Sequence, residues 1–138
     1  MRRRSVWLWW ALSAAVAAWL LWMTLRPNET VATDLSPLAA SAAAQGVSAH
    51  VLIDLAGNVV VFVPLGATLA LALGGKPAAR RLLLAALAGA GLSLAIELVQ
   101  MAIPTRVAAL DDLVLNTIGT AIGALAGCWI QHTRQRRD

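Results

Sequence analysis

The chain is short of charge, cysteine and histidine. Only 13% of its 138 residues are Asp, Glu, Lys or Arg, against about 25% in a soluble globular domain. A soluble chain of this size leaves a large fraction of its surface in water, and 59% of these residues are hydrophobic. Together with a mean hydropathy of +0.72, this excludes an ordinary soluble domain and makes lipid the natural solvent. A single cysteine, Cys128, excludes a disulfide within the chain and reads as a small packing residue in an apolar run. One cysteine and two histidines, His50 and His132, do not make a zinc ligand set. The net charge of +4 comes from basic residues at the ends of apolar runs, not along a stripe, which argues against nucleic acid as a partner.

What the chain does have is long apolar runs. A helix needs about 20 apolar residues to cross ~30 Å of hydrocarbon. Four runs approach that length: Val6 to Leu25, Ile53 to Leu73, Leu82 to Ile103 and Leu113 to Ile130. The expected fold is an all-α membrane protein of about four transmembrane helices. Its organisation is an N-terminal helix and extracytoplasmic loop over 1–51, a helical core over 52–130 and a basic tail over 131–138. Arg2, Arg3, Arg4, Lys76, Arg80, Arg81, Arg134, Arg136 and Arg137 fall on one predicted side, and only Arg26 and Arg106 on the other. The positive-inside rule then puts both termini in the cytoplasm. Trp7, Trp9 and Trp10 near one end of the first run, Trp19 and Trp22 near the other, and Trp129 late in the fourth suit the headgroup level. The first run is too long for a signal peptide, and no small-residue cleavage site directly follows it. The loop over 26–50, rich in Ala and Ser, is expected to hold a short interfacial helix around Leu38 to Gln45 or nothing regular.

The polar residues inside these runs are not scattered. Asp54 and Asn58 open the second run, Glu97 and Gln100 close the third, and Asp111, Asp112 and Asn116 open the fourth. All these ends fall on the predicted outer side. An ionisable group at the bilayer centre costs roughly 2.5–3.5 kcal/mol on insertion scales, so such residues usually face a protein interior or a cavity. Asn58, Glu97 and Asn116 sit at similar depths and are expected to meet in one layer. One reading is a site open to the outer face. The plainer one is a set of interhelical hydrogen bonds that fix register, at ~0.6 kcal/mol each.

Small residues mark the packing faces. The fourth run carries Gly119, Gly123 and Gly127, and the third carries Ala85, Gly89 and Ser93 below Glu97. Membrane helices approach closely through such residues. The expectation is that these two stripes face each other within one chain, a homodimer contact being the alternative. Pro64 is expected to kink the second helix or to free a carbonyl.

Three stretches resemble the VanZ-like family of small bacterial membrane proteins. Asn58-Val59-Val60-Val61-Phe62-Val63-Pro64-Leu65-Gly66 is similar to its N-x-x-x-F-x-P-L-G segment. Ser93 to Gln100 contains S-x-x-x-E-x-x-Q, and Arg106 is followed by Asp111-Asp112, Asn116-Thr117, Gly119 and Gly123 in the pattern D-D-x-x-x-N-T-x-G-x-x-x-G. The motifs cover about 52–127; the N-terminal run and the 26–50 loop carry none. The resemblance implies a multi-pass protein of the bacterial inner membrane. The family's founding member is associated with low-level resistance to teicoplanin-type glycopeptides, and no chemical mechanism is settled for the family.

The leading expectation is a non-enzymatic accessory or binding protein of the cell envelope, with no cofactor. Arg106 would contact an anionic group such as a lipid phosphate, Asp111 and Asp112 would orient Arg106 or hold a cation, and Asn58, Glu97, Gln100 and Asn116 would form a buried polar floor. Its partners would be membrane lipids, anionic or polyprenyl in type, with a second copy or an envelope protein as further partners. The alternative is an enzyme acting on a lipid-linked or phospholipid substrate at the outer leaflet, with Mg²⁺ held by Glu97, Asp111 and Asp112. A transporter is the third reading. It would need an oligomer, and the inverted repeats usual in such folds are not visible.

Overall fold

The structure, a computed structural model, describes residues 3–25, 36–37, 40–41, 55–102 and 110–136. Among these it is all-helical. Helix α1 is Arg3–Thr24, a π-helical segment Leu55–Val60 leads into α2, Val61–Ala72, and α3 and α4 are Ala78–Gln100 and Leu110–Gln135.

Three helices are long and apolar enough to cross a membrane: Val6–Thr24 within α1, α3 and α4, at 19, 23 and 26 residues. At ~1.5 Å per residue the shortest of these covers about 28 Å, close to the ~30 Å of a hydrocarbon core. The second apolar run is helical over 55–72, the π-helical segment continuing into α2, within the run from Ile53 to Leu73 that the sequence marks. Ile53 and Asp54 lie outside the described residues. Helix α2 is the centre of the bundle, packed on α1, α3 and α4. Phe62, Leu65, Gly66 and the whole run from Thr68 to Ala72 are buried, so its neighbours, not α2 itself, present the surface to lipid.

The π-helical segment has a local cause. Pro64 lies in the first turn of α2. It has no N–H to offer the carbonyl of Val60 four residues back, and its ring crowds that carbonyl. The segment Leu55–Val60 ends at that carbonyl. A π-turn is one of the known ways a helix absorbs such an interruption. Further on, Thr68 Oγ1 donates to the Pro64 carbonyl at 2.9 Å and to that of Leu65 at 3.0 Å.

Side-chain-to-backbone bonds fix how the helices alternate. Gln100 Nε2, at the end of α3, donates to the Thr24 carbonyl at the end of α1 (2.9 Å). Arg81 Nε, in the first turn of α3, donates to the Ala70 carbonyl near the end of α2 (2.8 Å). Gln131 Nε2, near the end of α4, donates to the Gly74 carbonyl in the α2–α3 turn (3.2 Å). The helices therefore run up, down, up, down, and α1 starts at the end of the bundle where α4 finishes.

The core joins Leu20 of α1, Phe62, Leu65, Leu69 and Ala70 of α2, Ala85 and Ile96 of α3, and Ala124 of α4. Outside it the surface is apolar. Trp7, Trp22, Leu83, Leu87, Leu98, Leu125 and Trp129 are all more than half exposed. A water-facing patch of that kind would be a liability; in lipid it costs nothing.

The glycines of α4 correct one expectation. They do not face the small stripe of α3. A Cβ at Gly119 would strike the carbonyl of Val59, one at Gly123 that of Val63, and one at Gly127 would lie 2.7 Å from that of Ala67. The glycine face thus lies against the π-helical segment and α2. Gly66 of α2 returns the contact, since a Cβ there would meet the carbonyl of Thr120. The α3 stripe instead receives side chains from the adjacent face of α4. Gly89 leaves the room that the Thr120 side chain fills, and Thr120 is fully buried. Positions 116, 120 and 124 and positions 119, 123 and 127 form two neighbouring i, i+4 faces, and α4 wedges between two helices with both.

Candidate functional site

The polar residues gather at the end of the bundle where α1 and α3 finish and α4 begins. Asn58 lies in the π-helical segment, whose last residues pack on α4. Its Nδ2 donates to Asp112 Oδ1 at 2.8 Å. Asp111 and Asp112 occupy the first turn of α4, where carboxylates are favoured by the positive end of the helix dipole. Asp112 is half-buried and Asp111 exposed.

One turn deeper, Asn116 is buried. Its Nδ2 donates to Ser93 Oγ of α3 at 2.8 Å. Its backbone carbonyl accepts from Thr120 Oγ1, also at 2.8 Å. Its other amide atom, Oδ1, is buried with no hydrogen-bond partner among the described residues. Buried polar atoms are nearly always paired, with protein or with ordered water, so this acceptor asks for a donor.

Ser93, Glu97 and Gln100 share one side of α3 at steps of four and three residues, and all three are buried. Glu97 is 7% exposed and also enters an interaction. Gln100 spends its amide on the Thr24 carbonyl, which draws α1 into the layer. The layer therefore has contributions from α1, the π-helical segment, α3 and α4. Asn58 and Asp112 are joined directly, Asn116 is joined to Ser93, and helical spacing sets Glu97 one turn above Ser93 and Asp112 one turn above Asn116. Asp54 and Arg106 lie outside the described residues.

One participant carries no distinctive sequence signal. Thr24 acts through its main-chain carbonyl, which no composition reading can find. Ser93, expected as a small packing residue and as the first residue of the S-x-x-x-E-x-x-Q stretch, is also a hydrogen-bond partner.

Helices of spanning length, an apolar exterior and a buried polar layer at one end define an integral, multi-pass helical membrane protein. Within that class the assignment is direct. The family model described as VanZ/LLP1 matches residues 3–131, and the chain belongs to that family. The match takes in α1 as well as the motif-bearing core over 52–127. No curated protein and no solved structure gives a significant match.

Proposed function

We propose that this protein is a non-enzymatic accessory or binding protein of the bacterial inner membrane, whose polar layer takes the headgroup of an anionic lipid from the outer leaflet. The observation that carries this reading is Asn116 Oδ1, buried beside Ser93 with no hydrogen-bond partner among the described residues. Around it, Glu97 and Asp112 add carboxylate oxygens. A layer rich in acceptors suits a group that brings donors, such as the hydroxyls of a glycerol or sugar headgroup. Arg106, just before the acidic first turn of α4 in sequence, supplies the cation for its phosphate. The excess of basic residues at the other loops supports an extracytoplasmic position for the layer. Resistance to teicoplanin-type glycopeptides is one outcome such an envelope role could produce.

The test is native mass spectrometry of protein extracted with its lipids, comparing wild type, Arg106→Ala and Glu97→Gln. The expected result is one class of anionic or polyprenyl lipid retained by wild type and lost from Arg106→Ala. Equal, unselective retention by all three would overturn the reading and return the layer to a role in helix register.

A further inference from the structure

The opposite end of the bundle holds a second polar feature, independent of the layer just described. A cavity of about 420 Å³ opens between the α2–α3 turn and the last turns of α4. Lys76, Arg81, Ala78, Cys128 and His132 are among the residues that line it. No Asp or Glu among the described residues does so.

Arg81 is the unusual member. It is 5% exposed, although arginine is almost never buried without partners. Its Nε is used by the Ala70 carbonyl. Its Nη2 is buried and has no hydrogen-bond partner among the described residues. Arg81 also lines the cavity, so a guanidinium held at one nitrogen, with a further N–H unmet among the described residues, stands at its wall.

The start of α3 points the same way. Its cap position is Pro77, with no side-chain cap and no acidic residue in the first turn. Arg81 N–H reaches the Pro77 carbonyl at 3.0 Å, which makes it the first intrahelical bond. The N–H groups of Ala78, Ala79 and Arg80 precede it and have no intrahelical acceptor. Ala78 itself lines the cavity. A helix N-terminus with free N–H groups favours an anion, and an arginine fork suits the oxygens of a phosphate.

We infer that this cavity is a phosphate-binding site, in which the Arg81 guanidinium and the uncapped first turn of α3 hold the oxygens of a phosphate ester and Lys76 neutralises its charge. Two sources share this chemistry: the headgroup of an anionic lipid in the leaflet on that side, and a free phosphate or soluble phosphate ester.

Cys128, the only cysteine of the chain, lines the cavity and serves as a built-in reporter. The full-length protein is placed in dodecyl maltoside micelles, which carry no phosphate, and the rate of Cys128 alkylation by N-ethylmaleimide is measured. Inorganic phosphate is added in one arm and phosphatidylglycerol in the other. Wild type is expected to react severalfold more slowly with at least one of them. Slowing by phosphatidylglycerol alone identifies a lipid site, and slowing by both identifies a site for phosphate as such. Arg81→Gln is expected to abolish the protection, but it also removes the bond to Ala70. Ala78→Asp therefore decides the matter. Ala78 is exposed, an aspartate in a first turn favours the helix, and its charge repels a phosphate. Protection absent from wild type, or equal in wild type and Ala78→Asp, would overturn the inference.

Discussion

Asn58 Nδ2 donates to Asp112 Oδ1 at 2.8 Å, joining residues 54 positions apart in sequence. The bond ties the π-helical segment before α2 to the first turn of α4. It is where two separate motifs of the family become one structural unit. Polar contacts between membrane helices average about 0.6 kcal/mol and reach about 1.7, while hydrogen bonds to charged groups contribute about 1.5–3 kcal/mol in soluble proteins. A double-mutant cycle of Asn58→Ala and Asp112→Ala is expected to give a coupling of about 1–2 kcal/mol. The measurement is unfolding in mixed dodecyl maltoside and SDS micelles. A coupling indistinguishable from zero would mean the contact does not hold the two segments together.

The glycines divide into two groups with opposite expected signs. Gly66→Ala and Gly123→Ala each press a methyl group against main-chain carbonyls of a neighbouring helix, those of Thr120 and Val63. Main chain cannot swing aside as a flexible side chain can, so each is expected to destabilise by about 1–3 kcal/mol. Gly91, inside α3, has nothing within 4 Å of where its Cβ would go. Gly91→Ala is expected to stabilise by about 0.5–1 kcal/mol, the usual gain on replacing glycine by alanine within a helix. The same micelle unfolding assay reads all three. If Gly91→Ala costs as much as Gly123→Ala, close packing on α2 is not what the α4 glycines are for.

The sequence made the elements easier to read than their partners. Runs of about 20 apolar residues define α1, α3 and α4 directly, because the bilayer sets their length. Asn58, Glu97, Asp112 and Asn116 stood out because a polar residue in an apolar run is costly unless it is satisfied. Which helix receives the α4 glycines was not legible, since α2 and α3 both carry small residues at helical spacing and periodicity does not name a partner. Arg81 read as one more loop charge beside Arg80. Its burial follows from the tight turn Gly74-Gly75-Lys76-Pro77, which starts α3 close enough to α2 for Arg81 to reach the Ala70 carbonyl. The π-helical segment was foreshadowed only by Pro64, which foretells a broken bond but not the manner of its repair.

That repair has a consequence for the contact between Asn58 and Asp112. The segment Leu55–Val60 carries Asn58 and ends at the carbonyl that Pro64 cannot engage. π-Turns are often found at functional sites, where they turn a side chain away from the α-helical register. Pro64→Ala supplies the missing N–H and relieves the crowding at Val60, so the α-helix can extend back through Val60. The hydrogen bond regained contributes about 0.5–1.5 kcal/mol, so the variant is expected to stay folded. With the register reset, however, Asn58 turns about the helix axis relative to Phe62, which is fully buried and anchors the helix. Asn58 then no longer faces Asp112. In a Pro64→Ala background the Asn58/Asp112 coupling is therefore expected to fall to near zero, while the cost of Gly123→Ala persists, because Val63 lies in the α-helix after the π-turn. The measurement is the same double-mutant cycle repeated in that background. An unchanged coupling would show that contact with α4 holds the π-turn in place and that Pro64 merely tolerates it.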